Sequence, residues 1–261
     1  MTGTDFNQLD QHILSIRLSA DGFSFSTCHS DVTGTPRAVF FPVNTSCSMT
    51  ANLKALFSST EILKVPFQQV SVLIDTPRYT TMPFDLYEDE HLETLFYHNF
   101  SKNDNEMVLC NILGKTNTVV LFGMDKHTHQ LLNEQFPEAR IYAAISPLME
   151  HFAQDNRKHN DRDLYVHLRK SAMDVFAYER GKLLFVNSYG CKQLTDITYY
   201  LLYVWQQLGF NPENDQLTIT GENKGREELP HELSKFLRNV KTEFNTSDNI
   251  PFDMQTLLIC E

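Results

Sequence analysis

The sequence predicts an α/β protein of two similar lobes, each a β-β-β-α-β-α unit built on a mixed sheet. Three observations predict it. Short apolar or alternating runs bounded by turn residues are interleaved with segments of helical period, the pattern of layered α/β folds. The same order of elements occurs twice. Between the two occurrences lies a polar stretch, Gln154 to Asp163, holding Asp155, Arg157, Lys158, Asp161 and Arg162. It sets lobe boundaries at residues 1–160 and 161–261.

In the first half, Ile13 to Leu18 alternates, Asp21-Gly22 supplies a turn and Phe23 to Cys28 alternates again, a hairpin pattern. Ala38 to Val43 gives a third strand. A short helix follows, with Met49, Leu53, Leu56 and Phe57 at helical spacing, and then an apolar strand, Val70 to Ile74, ending at Asp75. Glu88 to Phe100 reads as a helix with Leu92, Leu95, Phe96 and Phe100 on one face. Two strands, Met107 to Leu113 and Thr118 to Met124, flank Gly114-Lys115-Thr116-Asn117. Asp125 is placed to cap the next helix, whose Leu131, Leu132 and Phe136 face inward. Ala139 to Ile145 reads as a strand. Ser146 as N-cap and Pro147 at the first helical position then open another helix.

The second half opens in the same way. Leu164 to Leu168 and Val175 to Tyr178 are strands, and the turn Glu179-Arg180-Gly181-Lys182 leads to a third, Leu183 to Val186. Thr195 is the expected cap of the clearest helix, whose stripe is Ile197, Tyr200, Leu201, Val204, Trp205 and Leu208. Gly209 ends it and Pro212 follows. Gln216 to Thr220 reads as a strand, Glu227 to Val240 as a helix and Leu257 to Cys260 as a last strand.

Composition bounds the function. The 261 residues are 41% hydrophobic and 21% charged, ordinary for a globular protein. A net charge of −11, with no run of Lys and Arg, argues against nucleic acid and fits solubility or a basic protein partner. The amino-terminal residues lack a basic start and an apolar h-region, and no uninterrupted apolar run approaches the length of a membrane span. A cytoplasmic location is the expectation. Five cysteines, odd in number and without C-x-x-C spacing, fit neither a disulfide framework nor a zinc site, and most are expected to be buried thiols.

Asp174-Val175-Phe176-Ala177-Tyr178-Glu179-Arg180-Gly181-Lys182-Leu183 resembles the strand-turn-strand after the second phosphate loop of the actin-like ATPases, whose lobes are ribonuclease-H-like domains. Asn187 to Asp196, through Gly190 and Leu194-Thr195, resembles the passage into their next helix, and pilus-assembly actin-like proteins are similar there. As a whole the chain resembles an uncharacterised Bacteroidetes family with an actin-like ATPase fold. The resemblance implies an Asp-x-Gly at the end of each lobe's first strand, the Asp placing a metal and its water, the Gly admitting phosphates to backbone N–H groups. The first lobe instead has Leu14-Ser15-Ile16-Arg17-Leu18-Ser19. The second has His167-Leu168-Arg169-Lys170-Ser171-Ala172 where Asp-hydrophobic-Gly-Gly-Gly-Thr is implied. The adenosine-side Gly-Gly is reduced to Gly221 in Thr218-Ile219-Thr220-Gly221, which leaves room for adenine or another nucleoside.

Other motifs weigh less. Gly114-Lys115-Thr116 is no phosphate-binding P-loop, because Leu109 stands where the first glycine belongs and a strand follows instead of a helix. His127 with His129, and His91 with His98, lack a third ligand and read as exposed polar residues. Cys191, beside Gly190 and Lys192, is a nucleophile candidate without an identified base. Asp75 is a strand-end carboxylate in a placement common to catalytic groups, and equally a turn former beside Pro77. Tyr199, Tyr200, Tyr203 and Trp205 read as core, with partner docking as the alternative.

The expectation is therefore a pseudo-ATPase: an actin-like scaffold without metal or obligatory cofactor, leaning away from enzyme activity and acting on another protein. Its anion- or cofactor-binding candidates are Gly221, Arg169, Lys170 and His167. The alternative is a nucleotide-binding switch or ATPase with an altered phosphate site between the lobes, using ATP through those residues and Asp75. A third reading is a small-molecule-binding α/β domain of unrelated fold.

Overall fold

A computed structural model describes residues 12–29, 37–64, 66–159, 161–244 and 250–260. The chain folds as two compact units. The first starts with the meander β1 (His12–Ser19), β2 (Gly22–His29) and β3 (Arg37–Pro42), then α1 (Met49–Ser59) and β4 (Gln69–Ile74). An added antiparallel layer follows, of β5 (Tyr79–Pro83), α2 (Leu92–Asn99), β6 (Glu106–Leu113) and β7 (Thr118–Asp125). Helix α3 (Lys126–Gln135), strand β8 (Arg140–Ala143) and helix α4 (Ile145–Asn156) complete the series. From Pro147 onward α4 belongs to the second unit. That unit continues with β9 (Arg162–Leu168), β10 (Ala172–Glu179), β11 (Lys182–Gly190), α5 (Leu194–Gln207), β12 (Gln216–Gly221), α6 (Leu229–Leu233), β13 (Asn239–Glu243) and α7 (Phe252–Cys260).

The duplication is visible in the strand order. One sheet runs β3-β2-β1-β4-β8 and the other β11-β10-β9-β12-β13. In each, the first three strands are antiparallel and the last two run parallel to the first.

Period-two alternation decides which side chains meet which layer. In the second unit, Leu164, Val166, Val175, Ala177, Leu217 and Ile219 pack with Ile197, Leu201, Val204 and Trp205 of α5. Burying each such aliphatic side chain contributes about 1.5–3 kcal/mol. The alternate residues form the other face. There Phe152 of α4 stacks on Tyr165 at 4.5 Å and lies 5.1 Å from Phe176, and Phe252 of α7 stacks on Phe152 at 6.1 Å. In the first unit, Leu14, Ile16 and Leu18 alternate with Ser15, Arg17 and Ser19 along β1. The added layer closes on Phe96 of α2 against Val119 and Leu121. It joins the main sheet through Asn111 of β6, whose side chain donates to Ile141 O and accepts from Ala143 N, both at 2.9 Å.

Several local expectations are corrected. Ser146 does not cap α4: the helix begins at Ile145, and the Ser146 hydroxyl donates to Asn111 instead at 2.8 Å. Thr195 does not cap α5, because Gln193, two positions earlier, is the N-cap and forms a capping box with Asp196. The helix expected from Glu227 shrinks to Leu229–Leu233, and Asn239–Glu243 is a strand paired with β12. The spacing of Leu229, Leu233 and Leu237 suggested a longer helix, but Leu237 is buried from the turn that follows. Leu257 to Cys260 is helical, with Met254 and Leu257 buried one turn apart. A short apolar run does not by itself separate a strand from a buried helix. The helix expected from Glu88 starts at Leu92 after a 3₁₀ turn at Asp89–His91. Asp125 does cap α3, accepting from Thr128 N at 2.7 Å. Among the described residues no helix is long and apolar enough to cross a membrane.

Candidate functional site

The site to examine is the end of β9 and the turn into β10. His167, the last buried polar residue of β9, faces α7. Its Nδ1 lies 3.4 Å from the Thr220 hydroxyl, which donates to Val166 O, and its ring is 5.9 Å from Phe252. Gly221 closes β12 against the same strand. Its φ is +89°, and a Cβ there would stand 2.3 Å from Leu168 O and 2.8 Å from His167 Nδ1. The glycine therefore serves the approach of β12 to β9, which the hydrogen bond from Glu222 N to Leu168 O continues at 2.8 Å.

The two cations of the turn are engaged differently. Arg169 donates to Asp174 Oδ1 at 2.8 Å across the hairpin, and Ser188 donates to the same oxygen. Asp174 is buried, 2% exposed, and burial pushes its carboxyl above the ordinary range against the pull of Arg169 and Ser188. Asp253 of α7, wholly buried, adds a second carboxylate that pushes the same way. The Lys170 side chain is exposed. The structure thus brings His167 and Gly221 together, turns Arg169 toward Asp174, and leaves Lys170 at the surface.

The backbone of the turn is engaged as well. Arg169 N donates to Ala172 O at 2.9 Å. Arg226, 7% exposed, reaches from the loop after β12 and donates to Arg169 O at 2.6 Å and to Lys170 O at 2.9 Å. A phosphate loop needs N–H groups converging on the anion. Here a guanidinium holds two carbonyls and a buried carboxylate sits behind them. This donor set does not fit a nucleotide phosphate. Sequence reading missed Arg226, Asp174 and Asp253. Two are ordinary charges on a loop and a strand, and the third lies in a segment read as leading to a strand.

The first unit has the corresponding turn between β1 and β2. The Ser19 hydroxyl contacts Asp21 Oδ1 at 2.6 Å and Gly22 O at 2.8 Å. A Cβ on Gly22 would stand 2.2 Å from the Phe40 ring. Asp75, the strand-end carboxylate, accepts from Arg17 at 3.0 Å.

The remaining candidates separate cleanly. The Lys115 N–H donates to Glu150 at 3.1 Å, and Gly114–Asn117 is a strand-to-strand turn. His127 is exposed, His129 lies 3.4 Å from Asn133, and burial lowers the His129 pKa. No group of three or more His, Cys, Asp or Glu among the described residues is arranged to hold a metal ion. Cys191 is buried and its thiol is pushed up by that burial, the opposite of activation. Cys47 is exposed and Cys110 half-buried, while the side chains of Cys28 and Cys260 lie outside the described residues. Trp205 is core, Tyr200 half-buried, and Tyr199 and Tyr203 are 63% and 49% exposed.

The chain belongs to the family described as Protein of unknown function (DUF3822), whose model matches residues 2–240. A crystal structure from Bacteroides thetaiotaomicron VPI-5482, described as a protein with actin-like ATPase fold and unknown function, is 45% identical. It aligns over 99% of this chain and 100% of that one with a TM-score of 0.90. The fold of this chain is that of the actin-like ATPases. The PilM-PilN type IV pilus biogenesis complex contains a chain similar in fold alone, 12% identical with a TM-score of 0.56 over 90% of this chain and 88% of that one. No curated protein matches the sequence.

Proposed function

We propose that this member of the DUF3822 family is a non-hydrolysing protein-interaction module, a pseudo-ATPase on an actin-like scaffold. One observation carries the reading: Arg226 holds the carbonyls of Arg169 and Lys170, in the turn that the resemblance assigns to the second phosphate loop. Three further features support it. Of the two cations in the turn, Arg169 pairs with Asp174, Gly221 fits the close approach of the strands, and the strand-end Asp75 is engaged by Arg17. On this reading the chain presents a surface of net charge −11, suited to a basic protein partner.

Calorimetric titration of the purified chain with ATP and Mg²⁺, and then with ADP, tests this. The expected result is no saturable heat at millimolar nucleotide in a sample that melts cooperatively. Micromolar, Mg²⁺-dependent binding would overturn the reading and favour a nucleotide-binding switch.

A further inference from the structure

The added layer of the first unit carries a surface that neither five-stranded sheet uses. Strands β5, β7 and β6 with α2 have no counterpart in the second unit among the described residues. Phe96 of α2 covers Val119 and Leu121 on one face of this layer. At the end of that face nearest the β6–β7 turn, Ile112 of β6 stands across Val119 from Met82 in the register and is 57% exposed. After β5 the chain turns over the same end through Phe84, Asp85 and Leu86. Phe84 N donates to Asn117 O at 3.0 Å, which fixes the start of this turn. The Tyr87 hydroxyl lies 3.3 Å from Sγ of Cys110, two residues before Ile112 on the same face of β6. Phe84 is 45% exposed and Leu86 69%. Apolar residues scattered singly over a surface are ordinary, but these three share one end of one face.

The charge around this patch has one sign. No Lys or Arg occurs from Tyr79 to Ser101, and Asp85, Glu88, Asp89, Glu90 and Glu93 all lie exposed in that stretch. The cations that border it in sequence are engaged elsewhere. Arg78 pairs with Glu106 at 2.6 Å, Lys102 lies over the Tyr97 ring at 5.7 Å, and Lys115 in the β6–β7 turn faces Glu150 at 3.9 Å. His91 Nδ1 lies 3.3 Å from Glu88, and that imidazole offsets at most one of the carboxylates. The acidic turn is also held in place by its own contacts. The Tyr87 hydroxyl donates to Asp89 Oδ1 at 2.6 Å, and Asn117 Nδ2 donates to Asp85 Oδ2 at 3.1 Å. A surface ordered in advance loses less freedom when a partner binds.

We propose that this end of the added layer docks a basic amphipathic segment of a partner protein, which seats apolar side chains on Phe84, Leu86 and Ile112 and sets Lys or Arg side chains against the acidic turn from Asp85 to Glu93. The occupant follows from the charge at the patch itself. Carboxylates without a Lys or Arg among them attract a cationic segment. They repel nucleic acid, anionic lipid and a second copy of a chain whose net charge is −11. The apolar residues supply the desolvated centre of such an interface and the carboxylates its charged rim. The inference rests on the interaction-module reading and names the surface and partner class for it.

A random peptide display library, selected on the full chain, tests the proposal. Enriched peptides are then synthesised and titrated against the wild type, a Leu86→Asn variant and a Glu88→Gln/Glu90→Gln/Glu93→Gln variant. The replaced side chains are all exposed, so the three proteins should melt at the same temperature. The expected peptides combine Lys or Arg with apolar residues and slow amide exchange between residues 84 and 93. They bind Leu86→Asn about tenfold more weakly and lose most of their salt dependence on the triple variant. Enrichment of acidic or uncharged peptides, no enrichment at all, or binding indifferent to either variant overturns the proposal. So does a dimer in light scattering that Leu86→Asn dissociates, since a second copy would then cover the patch. The nucleotide titration fails or succeeds independently, so loss of the pseudo-ATPase reading and loss of this one are distinguishable.

Discussion

Gly221→Ala offers the sharpest test of what the glycine at the end of β12 is for. In a phosphate- or nucleoside-binding loop the residue would leave room for ligand, and a methyl group would cost affinity more than stability. In this protein the methyl would meet the chain itself. It would lie 2.3 Å from Leu168 O and 2.8 Å from Leu168 N, backbone atoms that β9 holds in place, and 2.8 Å from His167 Nδ1. The φ of +89° adds strain for any residue with a Cβ. Left-handed backbone at such a residue costs about 1–2 kcal/mol. Overpacking against a fixed neighbour adds about 1–3 kcal/mol. Together they predict a loss of roughly 2–5 kcal/mol, and about 2–4 °C in melting temperature for each kcal/mol in a chain of this size. Urea titration and calorimetry read both. A loss below about 1 kcal/mol would refute the reasoning, since strain alone is set near that value, and would show that β9 and β12 need not approach so closely.

Other outcomes follow from the same geometry. Arg226→Ala removes two charge-assisted hydrogen bonds from the β9–β10 turn. It should cost about 2–3 kcal/mol in urea titration and speed amide exchange at Arg169, without conferring ATP binding in the titration described above. Asp163, 2% exposed, accepts from Asn156 at 2.7 Å and Tyr165 at 3.3 Å, and burial raises its carboxyl above the ordinary range. Between the unfolded and the raised folded value, the folded state holds the proton more tightly than the unfolded chain. Stability therefore falls as pH rises from the ordinary carboxylate range through the raised value, and levels off above it. Asp163→Asn should flatten that slope in urea midpoints taken from about pH 4 to about pH 8. Asp125→Ala removes the N-cap of α3, whose oxygen also accepts from the hydroxyls of Thr50 and Thr128, and should cost about 1–2 kcal/mol by the same titration.

Much of the fold was legible because strands such as β1, β2 and β9 alternate and the β1–β2 and β10–β11 hairpins carry their own turn chemistry. Arg180-Gly181 shows why. Both residues adopt positive φ, +53° and +74°, which a two-residue type I′ hairpin requires, and a glycine in the turn announces it. The stripe of α5 was legible because four of its six apolar positions are fully buried. What sequence could not resolve was competition between equivalent local options. Ser146 and Thr195 are both good caps by residue type, but Asn111 engages one hydroxyl and the Gln193–Asp196 box displaces the other. Strand β13 exists because β12 offers it an edge, not because Asn239-Val240-Lys241-Thr242-Glu243 alternates strongly. The candidate site was legible only as an absence. His167 and Gly221 were found because the resemblance pointed to their positions, while Arg226 needed coordinates, since nothing in its sequence neighbourhood ties it to residues more than fifty positions earlier.

On the pseudo-ATPase proposal, the change at the second unit's turn involves more than the missing Asp-x-Gly motif. Restoring the carboxylate that the actin-like resemblance implies, by His167→Asp, would not rebuild the site. His167 stands directly across from Asp174 in the β9–β10 register. A carboxylate there would join two others, because Asp253 already raises the Asp174 pKa from α7. Arg169 and Ser188 offset the charge of Asp174. A third buried anion would be held protonated or would loosen α7, as like charges in low dielectric require. In the first unit Ser19 closes the corresponding turn and Arg17 pairs with Asp75. Each of the two turns is thus held by contacts of the protein's own side chains, which is the geometry that the pseudo-ATPase proposal rests on.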